Sequence, residues 1–585
     1  MNIAFNERAI DRQAAAFLCR GVQCADGELS RIVVSLLSQA VGQGSICLAL
    51  DEIASGTVKA GEAEEVALPD LAGLRSLLGR LPAVGHPGER RPMVLDDAGR
   101  LYLYRYWRYE AKTAAFIERM ASGDGLAIDE ELLEDGLERL FPASACSGAE
   151  DFQRIAARAA LHRRFSVISG GPGTGKTSTV VRILCLLLEQ PGGLRGRIAM
   201  AAPTGKAAAR LKSSISAMRL SLPCTEAVRA VLPSEVTTIH RLLGPLPTGF
   251  RHAASNQLPF DTVIVDEASM IDLPLMYALL DAMPPHARLI LLGDRDQLAS
   301  VEAGAVLGDT CRAGEAAGSA VDGCITLLKR SFRFSDSSGI GGLARAVNAG
   351  DEATAFDLLS KGSLPDICWI SLADQGRMRS LLAEEIVNGY RASLEADTPT
   401  AALEFFDRFR VLCALREGPF GVAGLNRSIE SLLSGAGLIS PSGPFWPGRP
   451  VLVTENDPAT RLYNGDTGML LPDPAEGNAL RAFFPGHEGT LRSLPPERLP
   501  RHETAFAITV HKSQGSEFDR VLLVLPPSDS PLLTRELVYT AITRAKSSIG
   551  IAADEAVFSA AVRRRIERRS GLCDLLAGNG HQRLM

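Results

Sequence analysis

Residues 165–184 read FSVISGGPGTGKTSTVVRIL: an apolar run, a glycine-rich loop and then a pattern typical of a helix. Within this stretch, GGPGTGKT fits GxxxxGK[ST], the phosphate-binding loop between a strand and a helix. Its glycines allow successive backbone N–H groups to converge on phosphate oxygens. We expect Lys176 to reach the β- and γ-phosphates of ATP and the Thr177 hydroxyl to bind Mg²⁺. The predicted ATP-binding residues of the loop are Gly170, Gly171, Pro172, Gly173, Thr174, Gly175, Lys176 and Thr177.

Two further apolar runs end in polar side chains downstream of this loop. VIVDEAS ends a predicted strand in Asp266 and Glu267. Asp266 is placed to hold Mg²⁺, and Glu267 to orient and deprotonate an attacking water. LLGDRDQL ends another strand, and Gln297 follows it where a polar amide can sense the γ-phosphate. An acidic pair alone is a weak signal, but its position after a phosphate-binding loop predicts a nucleotide hydrolase.

The alternation of strands and helices predicts an α/β protein. Short, fully apolar strands alternate with helices from about residue 152, which indicates parallel sheets covered on both faces. A second α/β block begins after about residue 335, and it is interrupted by a stretch rich in Pro and Gly that suggests a small β-barrel. The predicted divisions are a small helical domain at 1–110, a first α/β domain at 111–335, and a second at 336–585 with an insertion at about 446–500.

Composition narrows the class of protein. The 585 residues include 46% hydrophobic and 22% charged residues and carry a net charge of −6, which excludes a disordered chain and a uniformly basic DNA coat. No apolar run reaches the about 18 residues of a transmembrane helix. The first residues lack the apolar core of a signal peptide, and the 11 cysteines have no zinc-finger spacing. We therefore expect a cytoplasmic protein with reduced thiols and no membrane partner.

Four loops carry polar residues that phosphate binding does not explain. They are APTGKAA, TTIHRLLG, VHKSQGSEF and VYTAITRAK, and five of the nine lysines fall in or beside these loops and the phosphate-binding loop. Backbone N–H groups and hydroxyls in such loops can hold a nucleic-acid backbone. Helix caps are the alternative explanation for any one of them.

The ordered set GGPGTGKT, APTGKAA, TTIHRLLG, VDEAS, GDRDQL, LKRSFRF, YNGDTG, ITVHKSQGSEF and ELVYTAITRAK resembles superfamily 1 DNA helicases of the 5′→3′ branch, over about 400 residues. More closely, the chain resembles the alpha subunits of bacterial exodeoxyribonuclease V, a helicase-nuclease. The resemblance implies two RecA-like motor domains, a small N-terminal docking domain and an SH3-like insertion. It also implies an ATP-dependent 5′→3′ helicase that processes double-strand DNA ends for recombinational repair. The implied partners are double-stranded ends, single-stranded DNA, and the beta and gamma subunits of a heterotrimer.

The resemblance also implies roles for individual residues. Gln153 matches a glutamine that reads adenine, and Arg333 and Arg544 match arginines that the second motor domain donates to the nucleotide. Phe332 departs from the tyrosine that relatives often carry, which removes a hydroxyl. Four residues lie in loops that touch single-stranded DNA in the family: Thr204, His240, Thr509 and His511.

Two other functions stay open. Stand-alone helicases of the same branch usually carry a longer N-terminal extension with helix-hairpin-helix repeats, whereas only about 150 residues precede Gln153 here. A structural subunit without ATPase activity is opposed by the complete set Lys176, Asp266, Glu267, Gln297 and Arg544. The chain shows no convincing nuclease constellation outside the motor motifs, and in the family the nuclease belongs to the beta subunit.

Overall fold

The computed structural model describes residues 2–3, 5–20, 25–59, 65–122, 128–142, 151–335, 337–372, 375–486 and 490–578. In these residues the chain forms an N-terminal region, two larger domains built on parallel sheets, and an antiparallel sheet inserted into the second of them. Among the helices of the described ranges, none is long and apolar enough to cross a membrane.

The N-terminal region contains short strands as well as helices, whereas the sequence predicted a helical domain. Its helices are α1 (Ala9–Leu18), α2 (Ala25–Gly42), α3 (Leu50–Ile53), α4 (Leu71–Gly79) and α5 (Tyr104–Ala121), and its strands are β1 (Asn2–Ile3), β2 (Cys47–Ala49), β3 (Thr57–Lys59), β4 (Glu65–Ala67), β5 (Val84–Gly85), β6 (Met93–Leu95) and β7 (Arg100–Leu103). They form two sheets, ordered β1-β3-β4 and β2-β7-β6-β5. Strands of two or three residues, such as β1 to β6, are too short to show the alternation that marks a strand in sequence. The predicted boundary at residue 110 lies inside α5.

The first larger domain is built on a six-stranded sheet. Its elements are α6 (Glu130–Leu140), α7 (Phe152–His162), β8 (Phe165–Gly170), α8 (Lys176–Glu189), β9 (Ile198–Ala202), α9 (Gly205–Arg219), α10 (Glu226–Val231), β10 (Val236–Thr238), α11 (Ile239–Leu243), β11 (Pro245–Leu246), β12 (Gly249–Phe250), β13 (Thr262–Val265), α12 (Leu273–Ala282), β14 (Arg288–Gly293), α13 (Val306–Ala313) and β15 (Ile325–Leu328). The order is β10-β9-β13-β14-β8-β15, and every pairing is parallel. The loops after β8, β13 and β14 therefore meet at one edge of the sheet.

The second larger domain repeats this architecture with five strands. Its elements are α14 (Gly339–Ala349), α15 (Glu352–Ser360), β16 (Ile367–Ser371), α16 (Gln375–Leu394), α17 (Pro399–Phe406), β17 (Phe409–Cys413), α18 (Val422–Gly435), β18 (Pro450–Val453), β19 (Thr467–Asp473), β20 (Ala479–Pro485), β21 (Leu491–Leu494), β22 (His502–Thr504), β23 (Ala507–Thr509), β24 (Phe518–Val524), α19 (Arg535–Ile542), β25 (Ala545–Ala553) and α20 (Glu555–Arg563). The parallel sheet has the order β16-β25-β24-β17-β23, and the inserted antiparallel sheet has the order β21-β20-β19-β18-β22.

After α20 the chain leaves the second domain and returns to the rest of the molecule. Its last helix, α21 (Leu572–Leu576), packs against α5 and α13. Arg568 donates hydrogen bonds to the carbonyls of Ser300 (2.6 Å) and Gly304 (2.9 Å) in the first domain. The sequence predicted that this C-terminal segment belongs to the second domain (336–585), because nothing in the segment itself indicates a contact with the first domain.

Candidate active site

The glycine-rich loop connects β8 to α8, as the sequence predicted. Gly173 and Gly175 have φ angles of +74° and +82°, a region that glycine adopts without steric cost. A Cβ on Gly173 would collide with the Cβ of Arg333. Lys176 Nζ donates to the carbonyls of Gly170 (2.5 Å) and Gly171 (3.1 Å), so its ammonium lies over the loop. This arrangement presents backbone N–H groups and one cation to a phosphate.

Asp266 and Glu267 follow β13 directly and face the loop. The Oδ1 atom of Asp266 accepts the backbone N–H of Glu267 at 2.8 Å. Glu267 has a φ of +52°, a left-handed conformation that is rare for a non-glycine residue and is found at functional sites. Burial in the cleft and the adjacent Glu267 carboxylate raise the pKa of Asp266 to about 6, against the opposing charge of Lys176. A half-buried acidic pair that lines the same cavity as Thr177 suits a hard divalent cation, which prefers oxygen ligands.

Gln297 follows β14 and is tied to Asp294. Its Nε2 donates to Asp294 Oδ2 at 3.0 Å, and the hydroxyl of Tyr539 on α19 donates to the same oxygen at 3.1 Å. Burial raises the pKa of Asp294 to about 6, although the charge of Lys176 opposes this shift. The first domain's amide is thereby linked to a helix of the second domain.

Two arginines from beyond the first sheet reach the same place. Arg333 lies in the segment between β15 and α14, which contacts the loop directly: the N–H of Phe332 donates to the Gly173 carbonyl at 2.7 Å. Arg544 follows α19 and is only 2% exposed. Its guanidinium donates to the carbonyls of Thr540 (3.2 Å) and Ser516 (3.1 Å). Burial lowers the pKa of Arg544, and the charges of Glu267 and Glu517 offset part of that effect.

Two ion pairs that were not predicted from the sequence join Glu517 to Arg210 and Arg333 beside these groups. Glu517 Oε1 accepts from Arg333 Nη2 at 2.6 Å and from Arg210 Nη2 at 2.5 Å. Burial acts to raise the pKa of Glu517, but the two guanidinium groups outweigh it and the pKa is lowered. Glu517 lies inside the quoted motif VHKSQGSEF, and Arg210 lies two residues after APTGKAA. Their opposite charges were the available signal.

These residues line one cavity of about 400 Å³ between the two larger domains. Its walls include the predicted residues Pro172, Gly173, Thr174, Gly175, Lys176, Thr177, Asp266, Glu267, Gln297, Arg333 and Arg544. Gln153, on α7, lies beside the loop, where its Nε2 donates to the Thr174 carbonyl at 3.1 Å. The cavity therefore joins a phosphate cradle, an acidic pair and cations contributed by separate parts of the chain.

The four predicted DNA contacts occupy different environments. Thr204 caps the N-terminus of α9 and Thr509 caps a turn, because their hydroxyls accept the N–H groups of Ala207 and Lys512, each at 3.2 Å. Thr509 is 6% exposed. His240 is exposed, and His511 is half-buried with its pKa lowered by burial and by the charge of Arg568. Their contact with DNA stays a prediction.

A further contact joins the first domain to the inserted sheet. The guanidinium of Arg241, next to His240 on α11, lies 4.0 Å from the ring centroid of Tyr463. Such a cation–π pair stabilises by about 0.5–2 kcal/mol, depending on exposure. The loop before β19 is thus held against the motif TTIHRLLG.

Comparisons with known proteins identify the family. The chain matches the models of the AAA domain over residues 153–303, the UvrD-like helicase C-terminal domain over residues 504–551, and the N-terminal domain of RecBCD enzyme subunit RecD over residues 7–102. The RecBCD enzyme subunit RecD of Mycobacterium tuberculosis is 39% identical over 590 residues, covering 99% of this chain and 97% of that protein. The chain belongs to the RecD family. As a member of that family it is an ATP-dependent DNA helicase.

The chain is also similar to two helicases that are not RecD subunits. The ATP-dependent RecD2 DNA helicase of Deinococcus radiodurans is 32% identical over 498 residues, which cover 84% of this chain and 61% of that protein. A crystal structure of the Pif1 helicase from Bacteroides, in complex with ADP-AlF3 and single-stranded DNA, aligns with 72% of this chain at 17% identity and a TM-score of 0.38.

Proposed function

We propose that this RecD-family chain is the 5′→3′ motor subunit of a helicase-nuclease that unwinds and processes double-strand DNA ends for recombinational repair. Its partners would be the beta and gamma subunits of an exodeoxyribonuclease V heterotrimer, in the cytoplasm. The observation that carries the proposal is the cavity between the two larger domains, which residues of both domains line. A nucleotide bound there would contact both domains at once.

Each group around the cavity has a proposed task. Lys176 and the loop N–H groups hold the β- and γ-phosphates, and Gln153 reads the adenine. Thr177 and Asp266 would hold Mg²⁺, which supplies charge neutralisation on the phosphates when bound. Glu267 orients the attacking water and takes its proton.

Groups from beyond the first sheet complete the site. Gln297 senses the γ-phosphate, and Arg333 and Arg544 stabilise the charge that develops on it. Because Arg544 is 2% exposed and donates to two carbonyls of the second domain, its orientation within that domain is fixed before the nucleotide arrives. Such preorganisation favours the transition state over the ground state.

Movement along DNA follows from closure of the cavity. A nucleotide that contacts both domains favours their approach, and hydrolysis removes that preference. The loops with Thr204, His240, Thr509 and His511 would hold single-stranded DNA, two of these residues in each domain. Alternating grip would then turn closure into steps.

The N-terminal region and the insertion have proposed roles outside the motor. We assign docking on the large subunits to the small N-terminal domain. On α1, Ile10 and Phe17 are 66% and 60% exposed, which gives such a surface apolar side chains. We assign an SH3-like fold to the inserted sheet, whose loop contacts Arg241 through Tyr463.

The alternatives are weaker on specific grounds. The chain is 39% identical to a RecD subunit along 97% of that protein and 32% identical to the RecD2 helicase along 61% of that protein, and this greater similarity favours the subunit. An ATPase-dead subunit would not need a phosphate cradle, an acidic pair and a buried arginine around one cavity.

The test uses the purified chain with and without its large subunits. ATP hydrolysis should rise when single-stranded DNA is added, and duplexes with a 5′ tail should be unwound while those with a 3′ tail are not. Affinity purification from the native cell should yield the two large subunits. ATP hydrolysis that DNA does not stimulate would contradict the proposed motor activity. Unwinding from 3′ tails would contradict the proposed polarity, and the absence of the large subunits would contradict the proposed assembly.

A further inference from the structure

One oxygen of Asp294 accepts hydrogen bonds from both larger domains. Gln297 Nε2 donates to Asp294 Oδ2 from the same loop at 3.0 Å, and the Tyr539 hydroxyl donates to it from α19 at 3.1 Å. All three side chains are at most 6% exposed. The bridge lies beside the phosphate-binding loop, since a Cβ on Gly171 would be 3.0 Å from the Tyr539 hydroxyl.

The carboxylate determines which way the amide of Gln297 faces. An ionised carboxylate has no proton to donate, so it binds the NH₂ end of the amide and not the oxygen end. The carbonyl oxygen of Gln297 is then free to accept a hydrogen bond from a water or another donor in the cavity, which Gln297 lines. An amide that is held in one orientation stabilises the transition state more than a mobile amide does, because it does not have to reorient during the reaction.

The helix that carries Tyr539, α19, also contacts Arg544 and the residue after Gln297. The next residue, Thr540, accepts the backbone N–H of Leu298 with its hydroxyl at 2.9 Å and the Nε of Arg544 with its carbonyl at 3.2 Å. One turn of α19 thus contacts the residues on both sides of Gln297. Moving α19 away from the first domain would break these bonds together.

We propose that Asp294 and Tyr539 are positioning residues that orient the Gln297 amide only when the second domain has closed on the first. The proposal rests on the proposed role of Gln297 at the γ-phosphate. It adds that the sensor is set by the same helix that positions Arg544. Hydrolysis would therefore wait until both groups are in place.

Tyr539→Phe removes the hydroxyl and keeps the ring. We expect kcat for DNA-stimulated ATP hydrolysis to fall about tenfold, the effect of one hydrogen bond of ordinary strength. Binding of ADP should stay within about twofold, because the lost bond acts on Gln297 and not on the diphosphate. Tyr102→Phe is the matched control: its hydroxyl also donates to a buried carboxylate at 3.1 Å, on Glu110, but in the N-terminal region. It should leave kcat unchanged.

A double-mutant cycle separates positioning from general damage. If Tyr539 acts through Gln297, then adding Tyr539→Phe to Gln297→Ala should cost nothing further in kcat. Full, additive losses would overturn the proposal, as would a Tyr539→Phe variant with parental kcat. A Gln297→Ala variant with parental kcat would instead contradict the proposed function of Gln297 itself.

Asp294→Asn provides a second variant of nearly the same volume. Its amide NH₂ would attract the oxygen end of the Gln297 amide and so reverse it. We expect a loss of kcat at least as large as that of Tyr539→Phe, again with ADP affinity preserved. Thermal unfolding of both variants near the parental temperature would show that the fold is intact, and parental kcat in Asp294→Asn would overturn the proposal.

Discussion

Two buried carboxylate centres in this molecule have similar pKa shifts and different surroundings. At the cavity, burial and neighbouring charge raise to about 6 the pKa values of Asp266, which lines it, and of Asp294, which lies behind Gln297. In the N-terminal region, burial raises the pKa of Glu110 to about 7, although its hydrogen bonds and Arg100 oppose the shift. Glu110 accepts the Tyr102 hydroxyl, the Ser570 hydroxyl and the N–H of Gly571, whereas Asp266 faces an open cavity.

The contrast between the cavity and the surroundings of Glu110 shows that a shifted pKa does not by itself indicate a functional site. Structural networks shift pKa values as strongly as catalytic ones do. What distinguishes the cavity is that Asp266, Glu267 and the cations around them face a space that a ligand can fill. At the Glu110 junction the protein itself supplies the donors, and they hold the last helix, α21, against α5.

Lys176→Gln tests the cavity side of the comparison with the largest expected effect. The variant should lose DNA-stimulated ATP hydrolysis to background, because the one cation over the phosphate-binding loop is gone. Steady-state ATPase on single-stranded DNA is the measurement. Thermal unfolding should match the parent, since Lys176 contacts only loop carbonyls. Parental hydrolysis would mean that the loop does not bind the reacting phosphates.

Arg544→Ala should give the next largest loss. On its proposed role, the guanidinium stabilises charge in the transition state, and such arginines contribute about 10³–10⁵ in rate in other enzymes with this loop. We expect ATP affinity within about tenfold of the parent and almost no hydrolysis or unwinding. Arg544→Lys should rescue poorly, because an ammonium cannot make the two carbonyl contacts of the guanidinium fork.

Titration of nucleotide affinity beside steady-state ATPase separates the two effects in the Arg544 variants. A purely structural arginine would change stability and affinity together. Near-normal hydrolysis in Arg544→Ala would show that the two domains do not act on a shared nucleotide.

The cavity was largely predictable from sequence because its parts have local signatures. Glycines, an acidic pair and a strand-end amide each identify themselves within a few residues, and the carboxyl ends of parallel strands meet at one edge. The α/β class with parallel sheets followed from the same pattern and is confirmed by the sheet topology. The Arg210–Glu517 contact was not predicted, because each residue alone looks like an ordinary surface charge.

The Glu110 junction was not predictable, because its partners are distant in sequence. Glu110 and Gly571 are 461 positions apart, and neither lies in a motif. The short strands β1 to β6 were not predicted for another reason: two or three residues cannot show a period of two. The predicted boundary at residue 110 consequently fell inside α5, the helix that carries the junction.

Glu110→Gln tests the other side of the comparison, with the smallest expected effect on activity. The unfolded chain loses the Glu110 proton near its ordinary pKa of 4.5, whereas the folded chain keeps it to about 7. The folded state therefore binds more protons in this window, so stability falls as the pH rises through it, by about 3 kcal/mol for this group. Asp266 and Asp294 contribute to the pH dependence of stability with the same sign, so the readout is the difference between variant and parent.

Glu110→Gln should flatten the decline in unfolding temperature between pH 5 and pH 8 while leaving kcat near the parental value. Glu134→Gln is the control: burial acts to raise the pKa of that half-exposed carboxyl, but Arg158 and Arg154 together outweigh it and lower the pKa, so this variant should not alter the decline. An unchanged pH dependence in Glu110→Gln, or a large loss of kcat, would mean that the junction is not the structural counterpart of the cavity.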